Sequence, residues 1–85
     1  MKFDLVTPEK LFASDENVQY VACPGSEGDF GVLPGHMPFI STLRQNAPVK
    51  VTLADGTEKT FTVSGGFAEV SATGVTVLAE RAEAL

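Results

Sequence analysis

An all-β fold, an antiparallel sandwich or flattened barrel, is what the sequence predicts, and three observations predict it. Apolar residues recur at every second position, glycine and proline punctuate the runs at short intervals, and no stretch keeps a helical period for a useful length. The 85 residues make one domain, 1–85, because a core this small cannot be divided usefully.

Residues 2 to 7 form the first β-rich run, and residues 17 to 23 the second, with Val18, Tyr20 and Ala22 at alternate positions. The stretch EGDFGVLPGHMPF, residues 27 to 39, then gathers glycines, prolines, carboxylates and the single histidine between two apolar runs. Phe30 and Val32 are its core-facing members, Pro34-Gly35 fits a turn, and Pro38 belongs on an edge or in a bulge because it cannot donate to a ladder. Residues 49 to 53 alternate Val49, Val51 and Leu53 with Lys50 and Thr52, which sends the apolar set to one face. Asp55-Gly56 readily takes the positive φ angles of a tight turn, so the chain folds back into residues 59 to 64 with Phe61 and Val63 inward. Ser64, Gly65 and Gly66 read as a bulge or a close backbone approach. Residues 67 to 72 and 75 to 79 repeat the hairpin around Thr73-Gly74. Only the terminal RAEAL has helix-forming composition, and so short a segment cannot hold an isolated helix.

Composition excludes several functions. Six Lys and Arg against eleven Asp and Glu give a net charge of −5, which repels phosphate backbones and anionic lipid head groups. Nucleic acid is therefore not an expected ligand. No window approaches the ~20 apolar residues of a membrane-spanning helix, and MKFDLVTPEK lacks the apolar region of a leader, so a soluble, unexported chain without direct membrane insertion is expected. The one cysteine, Cys23, stands in an apolar run and reads as a buried, inert thiol, with neither an internal disulfide nor a thiolate metal cluster.

The chemistry-bearing patterns are weak. Gly25, Gly28, Gly31 and Gly35 lack the lysine of a phosphate loop and set Glu27 and Asp29 where a phosphate would sit. No nucleophile elbow surrounds any serine, and one His with one Cys and scattered carboxylates has no metal-ligand spacing, so no catalytic residue, cofactor or metal is expected. A carbohydrate-binding module is the rival from another class, but the chain has no Trp, one Tyr, and six Phe that mostly fall in strand patterns. The 27 to 39 stretch reads two ways on physical grounds. It is either a Gly/Pro-rich connection around a short strand, or a projecting contact loop whose tip carries Ser26, Glu27 and Asp29 while Gly28 and Gly31 admit another backbone.

GSEGDFGVLPGHMPFISTL (25 to 43), SGGFAEV (64 to 70) and VTVLAERA (75 to 82), in that order and at those separations, resemble the N-terminal domain of the epsilon subunit of the rotary F-type ATP synthase, called delta in mitochondria. The similarity covers essentially the whole chain. It implies a ten-stranded β-sandwich of two five-stranded sheets, and a non-catalytic rotor part of the central stalk that bridges the gamma subunit to the membrane c-ring. The turn Ser26, Glu27, Gly28 and Asp29 is implied as the c-ring contact, and His36, Met37, Phe39 and Leu43 as the gamma-facing side. The implied setting is peripheral, on the cytoplasmic face of a bacterial inner membrane, with no functional homo-oligomer. Members of the family usually continue into a helical hairpin, whereas this sequence stops at Leu85, so inhibition or ATP binding through a hairpin is not carried over.

Overall fold

The computed structural model describes residues 1–35 and 37–85. Eight strands follow in chain order: β1 Lys2–Val6, β2 Leu11–Asp15, β3 Val18–Cys23, β4 Phe30–Val32, β5 Phe39–Thr42, β6 Ala47–Leu53, β7 Glu58–Ser71 and β8 Gly74–Ala84. They hydrogen-bond in the order β2-β1-β8-β7-β6-β3-β4, with β5 added on β7. The all-β class stands, but the pairing is mixed where an antiparallel fold was expected. Among the described residues eight strands join in one connected sheet, against an expected ten in two layers. The exception to antiparallel pairing is β1 with β8, which run parallel from Lys2↔Gly74 to Val6↔Leu78. A parallel pair needs a long crossover, and here everything from β2 to β7 supplies it.

The strand count falls because the final hairpin runs through where periodicity breaks. In β7 the inward residues are Phe61 and Val63, then Ala68 and Val70, so the buried set changes from odd to even positions across Gly65-Gly66. In β8 it is Val75, Val77 and Ala79, then half-buried Ala82. Both strands change faces opposite one another, and their register stays unbroken from Phe61↔Ala84 to Ser71↔Gly74. A period-two reading must cut such a strand in two, since it tracks one face only. The Gly65-Gly66 segment is the close approach of the two readings offered for it: a Cβ on Gly66 would lie 1.8 Å from the Leu78 carbonyl oxygen.

The half of β7 before the glycines pairs with β6 (Ala47↔Val63 to Thr52↔Glu58), and the half after them pairs with β5 (Phe39↔Val70 to Thr42↔Phe67). The core between these elements holds Phe3 and Leu5 of β1, Val21 and Cys23 of β3, Val32 of β4, Val49 and Val51 of β6, and the inward residues of β7 and β8. Phe61 stacks on Phe3 at 6.0 Å and meets Phe12 of β2 edge-on at 6.2 Å, which ties the edge strand to the core. In β3 the register shifts between Val18 and Tyr20, so Val18, Val21 and Cys23 face inward and Tyr20 faces out. Arg81–Ala84 are strand despite their helical composition, because pairing along β7 satisfies backbone groups that a single helical turn could not.

The Cys23 thiol is 1 % exposed, and burial pushes its pKa from 9.0 up to about 12. It is a neutral core side chain at physiological pH.

Candidate functional site

The turn expected to make contact, residues 26–29, lies in the β3–β4 hairpin. Cys23 and Phe30 form its last cross-strand pair, and Pro24 to Asp29 loop out between them. Within the loop the Gly28 N–H donates to the Gly25 carbonyl at 3.1 Å, and the tip residues Ser26, Glu27, Gly28 and Asp29 are all exposed. The sequence thus brings all four expected turn residues together at one projecting tip.

The turn is braced from the side by the β5–β6 connection. Gly25 and Leu43 form an antiparallel bridge, the Ser26 N–H donates to the Thr42 carbonyl at 2.9 Å, and the Arg44 N–H donates to the Pro24 carbonyl at 2.9 Å. The hydroxyls of Ser26 and Thr42 share a short hydrogen bond. Nη1 of Arg44 donates to the Gly25 carbonyl at 3.0 Å and also pairs with Oδ1 of Asp29. Asp29 is therefore an engaged carboxylate, while Glu27 has no ion pair among the described residues.

The second expected set divides. His36 lies outside the described residues. Met37 is 78 % exposed, Phe39 is half-buried with its ring 5.1 Å edge-on from Phe30, and Leu43 is only 7 % exposed and belongs to the core. Leu43 also donates its N–H to the Gly66 carbonyl at 3.1 Å, and Ser64 Oγ accepts from the Asn46 N–H at 2.8 Å, so the brace is anchored on the Gly65-Gly66 segment of β7.

Sequence reasoning missed two features. Arg44 gives no local signal, since its partner Asp29 is fifteen residues away and the two meet only through a non-local bridge. The other is an outward apolar band across four strands, in which Val6 pairs with both Leu11 and Leu78, and Leu78 with Phe67. Ile40 of β5 lies diagonal to Phe67 on the same outer face. A shallow groove of about 470 Å³ beside this band is lined by Val6, Pro8, Gly65, Gly66, Phe67 and Leu78. Thr7, Gln45, Ala79 and Glu80 complete the lining. Among the described residues no group of three His, Cys, Asp or Glu could hold a metal ion.

Gly31 of β4 keeps Tyr20 in place, because a Cβ there would lie 2.0 Å from the tyrosine hydroxyl oxygen. Gly31→Ala is expected to swing the 38 % exposed ring outward at a cost of about 1–2 kcal/mol, since the obstructing atoms are the far end of a movable side chain. With no Trp and a single Tyr in the chain, intrinsic fluorescence reads the displacement directly. An unchanged tyrosine emission would contradict that contact.

Comparison with known proteins places this geometry among relatives. The family model described as ATP synthase, Delta/Epsilon chain, beta-sandwich domain matches residues 1–85. The chain is similar to the ATP synthase epsilon chain of Maricaulis maris, with 53 % identity over all of this chain and 62 % of that one. It is also similar to the epsilon chain of Caulobacter vibrioides, with 52 % identity over 96 % of this chain and 92 % of that one. For the epsilon chain of Bradyrhizobium sp. BTAi1 the figures are 51 %, 98 % and 59 %, so this chain spans about three-fifths of the first and third relatives. Among solved structures, a chain of the Euglena gracilis mitochondrial ATP synthase OSCP/F1/c-ring assembly superposes with a TM-score of 0.86 at 28 % identity, covering 96 % of this chain and 51 % of that one. A chain of the Tetrahymena thermophila mitochondrial ATP synthase central stalk/c-ring shares the fold at a TM-score of 0.79 and 15 % identity, over 98 % of this chain and 65 % of that one.

Proposed function

The chain belongs to the β-sandwich domain family of the ATP synthase delta and epsilon chains, and on that footing we propose that it is a non-catalytic rotor subunit of the central stalk, bridging the gamma subunit to the c-ring so that proton flow is coupled to ATP synthesis. The observation that carries this reading is the brace. The exposed turn 26–29 and the segment 37–43 are cross-linked by backbone bonds from Thr42, Leu43 and Arg44, so two separate surfaces are held on one stiff unit. A part that passes torque between neighbours needs that rigidity, and a close-packed sandwich with low compressibility supplies it.

In this reading Ser26, Glu27, Gly28 and Asp29 face the ring. His36, Met37 and Phe39 face gamma, and buried Leu43 supports them from beneath. The outward apolar band running from Ile40 and Phe67 to Leu11 supports the gamma assignment, since a contiguous apolar face of this kind gains by being covered. Divided at Gly65-Gly66 and at Glu80, the long hairpin supplies a strand to each of two five-stranded layers. The complex would lie on the cytoplasmic face of a bacterial inner membrane, with one copy of this chain acting without a homo-oligomeric partner. Inhibition through a helical hairpin is not among the roles proposed.

Adding the purified chain to ATP synthase membranes depleted of epsilon tests this directly. Restored proton-driven ATP synthesis and co-purification with gamma are expected. Asp29→Lys, which sets a like charge beside Arg44, is expected to keep the fold and lower recovery of ring-bound catalytic sector about three- to tenfold, the range of one or two charge contacts at an exposed rim. A chain that neither brings down gamma nor restores coupling sinks the proposal.

A further inference from the structure

The turn carries two carboxylates, and the structure treats them differently. Oδ1 of Asp29 is held by Nη1 of Arg44, and the same nitrogen holds the Gly25 carbonyl at 3.0 Å. One guanidinium nitrogen thus ties the first residue of the turn to the last, across the Gly28-to-Gly25 hydrogen bond that closes it. Arg44 is itself fixed at its backbone by the bond to Pro24 and by its neighbour Leu43, which is buried in the core. Glu27 at the apex is exposed and engaged by no cation among the described residues. With Arg44 counted, the turn presents a net charge of −1 in place of the −2 that Glu27 and Asp29 would suggest.

We propose that Arg44 is the positioning residue of the docking turn: it draws Asp29 inward as a structural acceptor and leaves Glu27 as the single carboxylate offered to the partner, a polar loop bearing a basic side chain or amide N–H donors. The inference rests on the reading that this turn docks on the c-ring. A turn held in its bound shape before contact loses less conformational freedom on association, so the latch acts on affinity through preorganisation, whereas Glu27 acts through charge.

The two roles separate experimentally in the full chain. Amide hydrogen exchange at Gly28, whose N–H donates to the Gly25 carbonyl, followed by NMR without any partner, is expected to quicken in Arg44→Ala and in Asp29→Ala, with the melting temperature little changed. Arg44→Lys, whose ammonium can replace the one nitrogen that makes both contacts, is expected to retain most of the protection, and Glu27→Gln all of it. In association with c-ring membranes carrying gamma, Glu27→Gln is expected to flatten the dependence of affinity on salt. Arg44→Ala and Asp29→Ala are expected to weaken binding about three- to tenfold, the first even though it makes the turn more negative. Combining those two is expected to be no worse than either alone, as a shared contact requires. Unchanged exchange in Arg44→Ala overturns the latch, and an affinity and salt slope left unchanged by Glu27→Gln overturn the assignment of Glu27. If the unmodified chain fails to bind the membranes, it is the docking reading that falls, and the exchange measurement still decides the role of Arg44.

Discussion

Gly66→Ala is expected to destabilise this domain by about 3–6 kcal/mol, as strain and overpacking act at one position. A Cβ on Gly66 would meet the Leu78 carbonyl oxygen at 1.8 Å and its carbon at 2.8 Å, and the residue sits at φ +154°. The obstructing atoms are backbone in the middle of the β7–β8 ladder, so nothing can swing aside. The strands must separate where Gly66 pairs with Ala79, and the Leu43 N–H then loses its acceptor on the Gly66 carbonyl. A domain of this length has only about 4–13 kcal/mol to lose. Gly56→Ala provides the comparison: φ is +92° there, but no atom lies within 4 Å of a new Cβ. Only the backbone penalty of about 1–2 kcal/mol applies. Urea titration of both variants checks the order, and a Gly66→Ala protein within about 1 kcal/mol of the parent would mean that the two strands do not approach as described.

The contrast between those glycines also marks how far the fold could be read from residues alone. At Asp55-Gly56 the turn is local chemistry, and the structure has it: the Gly56 N–H bonds the Leu53 carbonyl and the Thr57 N–H bonds the Asp55 carboxylate at 2.9 Å each. Hydrogen bonds from Thr57 also hold the Asp55 carboxyl below its ordinary pKa. β6 was equally legible, since Val49 and Val51 alternate cleanly with exposed Lys50. β2 was not. Its residues Phe12, Ala13 and Asp15 are all half-buried, because an edge strand packed by one ring has no clean inner face to betray it. The parallel β1–β8 pair joins the two ends of the chain, and no local pattern encodes a pairing at that separation. The candidate site divides the same way. Where the turn lies was legible from its glycines and acids, but that Asp29 is bound by Arg44 and Leu43 is buried depends on a bridge between segments eighteen residues apart.

Raising the pH from 9 to 12 is expected to cost this fold about 4 kcal/mol through one thiol, at roughly 1.4 kcal/mol per pH unit. Cys23 faces the core from the last cross-strand pair before the turn 26–29, and burial lifts its pKa from 9.0 to about 12. The folded-state value lies above the unfolded one, so the contribution is present in full below pH 9. It is lost as pH climbs, because the unfolded chain releases the proton and the folded chain holds it. Any other ionisable group contributes equally in Cys23→Ala. The difference between the two stability curves therefore isolates the thiol: flat below pH 9, then closing on the variant with the slope given above. The same burial makes the native thiol unreactive, so a thiol reagent at neutral pH should modify Cys23 only as fast as the chain opens. Parallel curves for the two proteins, or modification at the rate of a free thiol, would show that the base of the turn admits water.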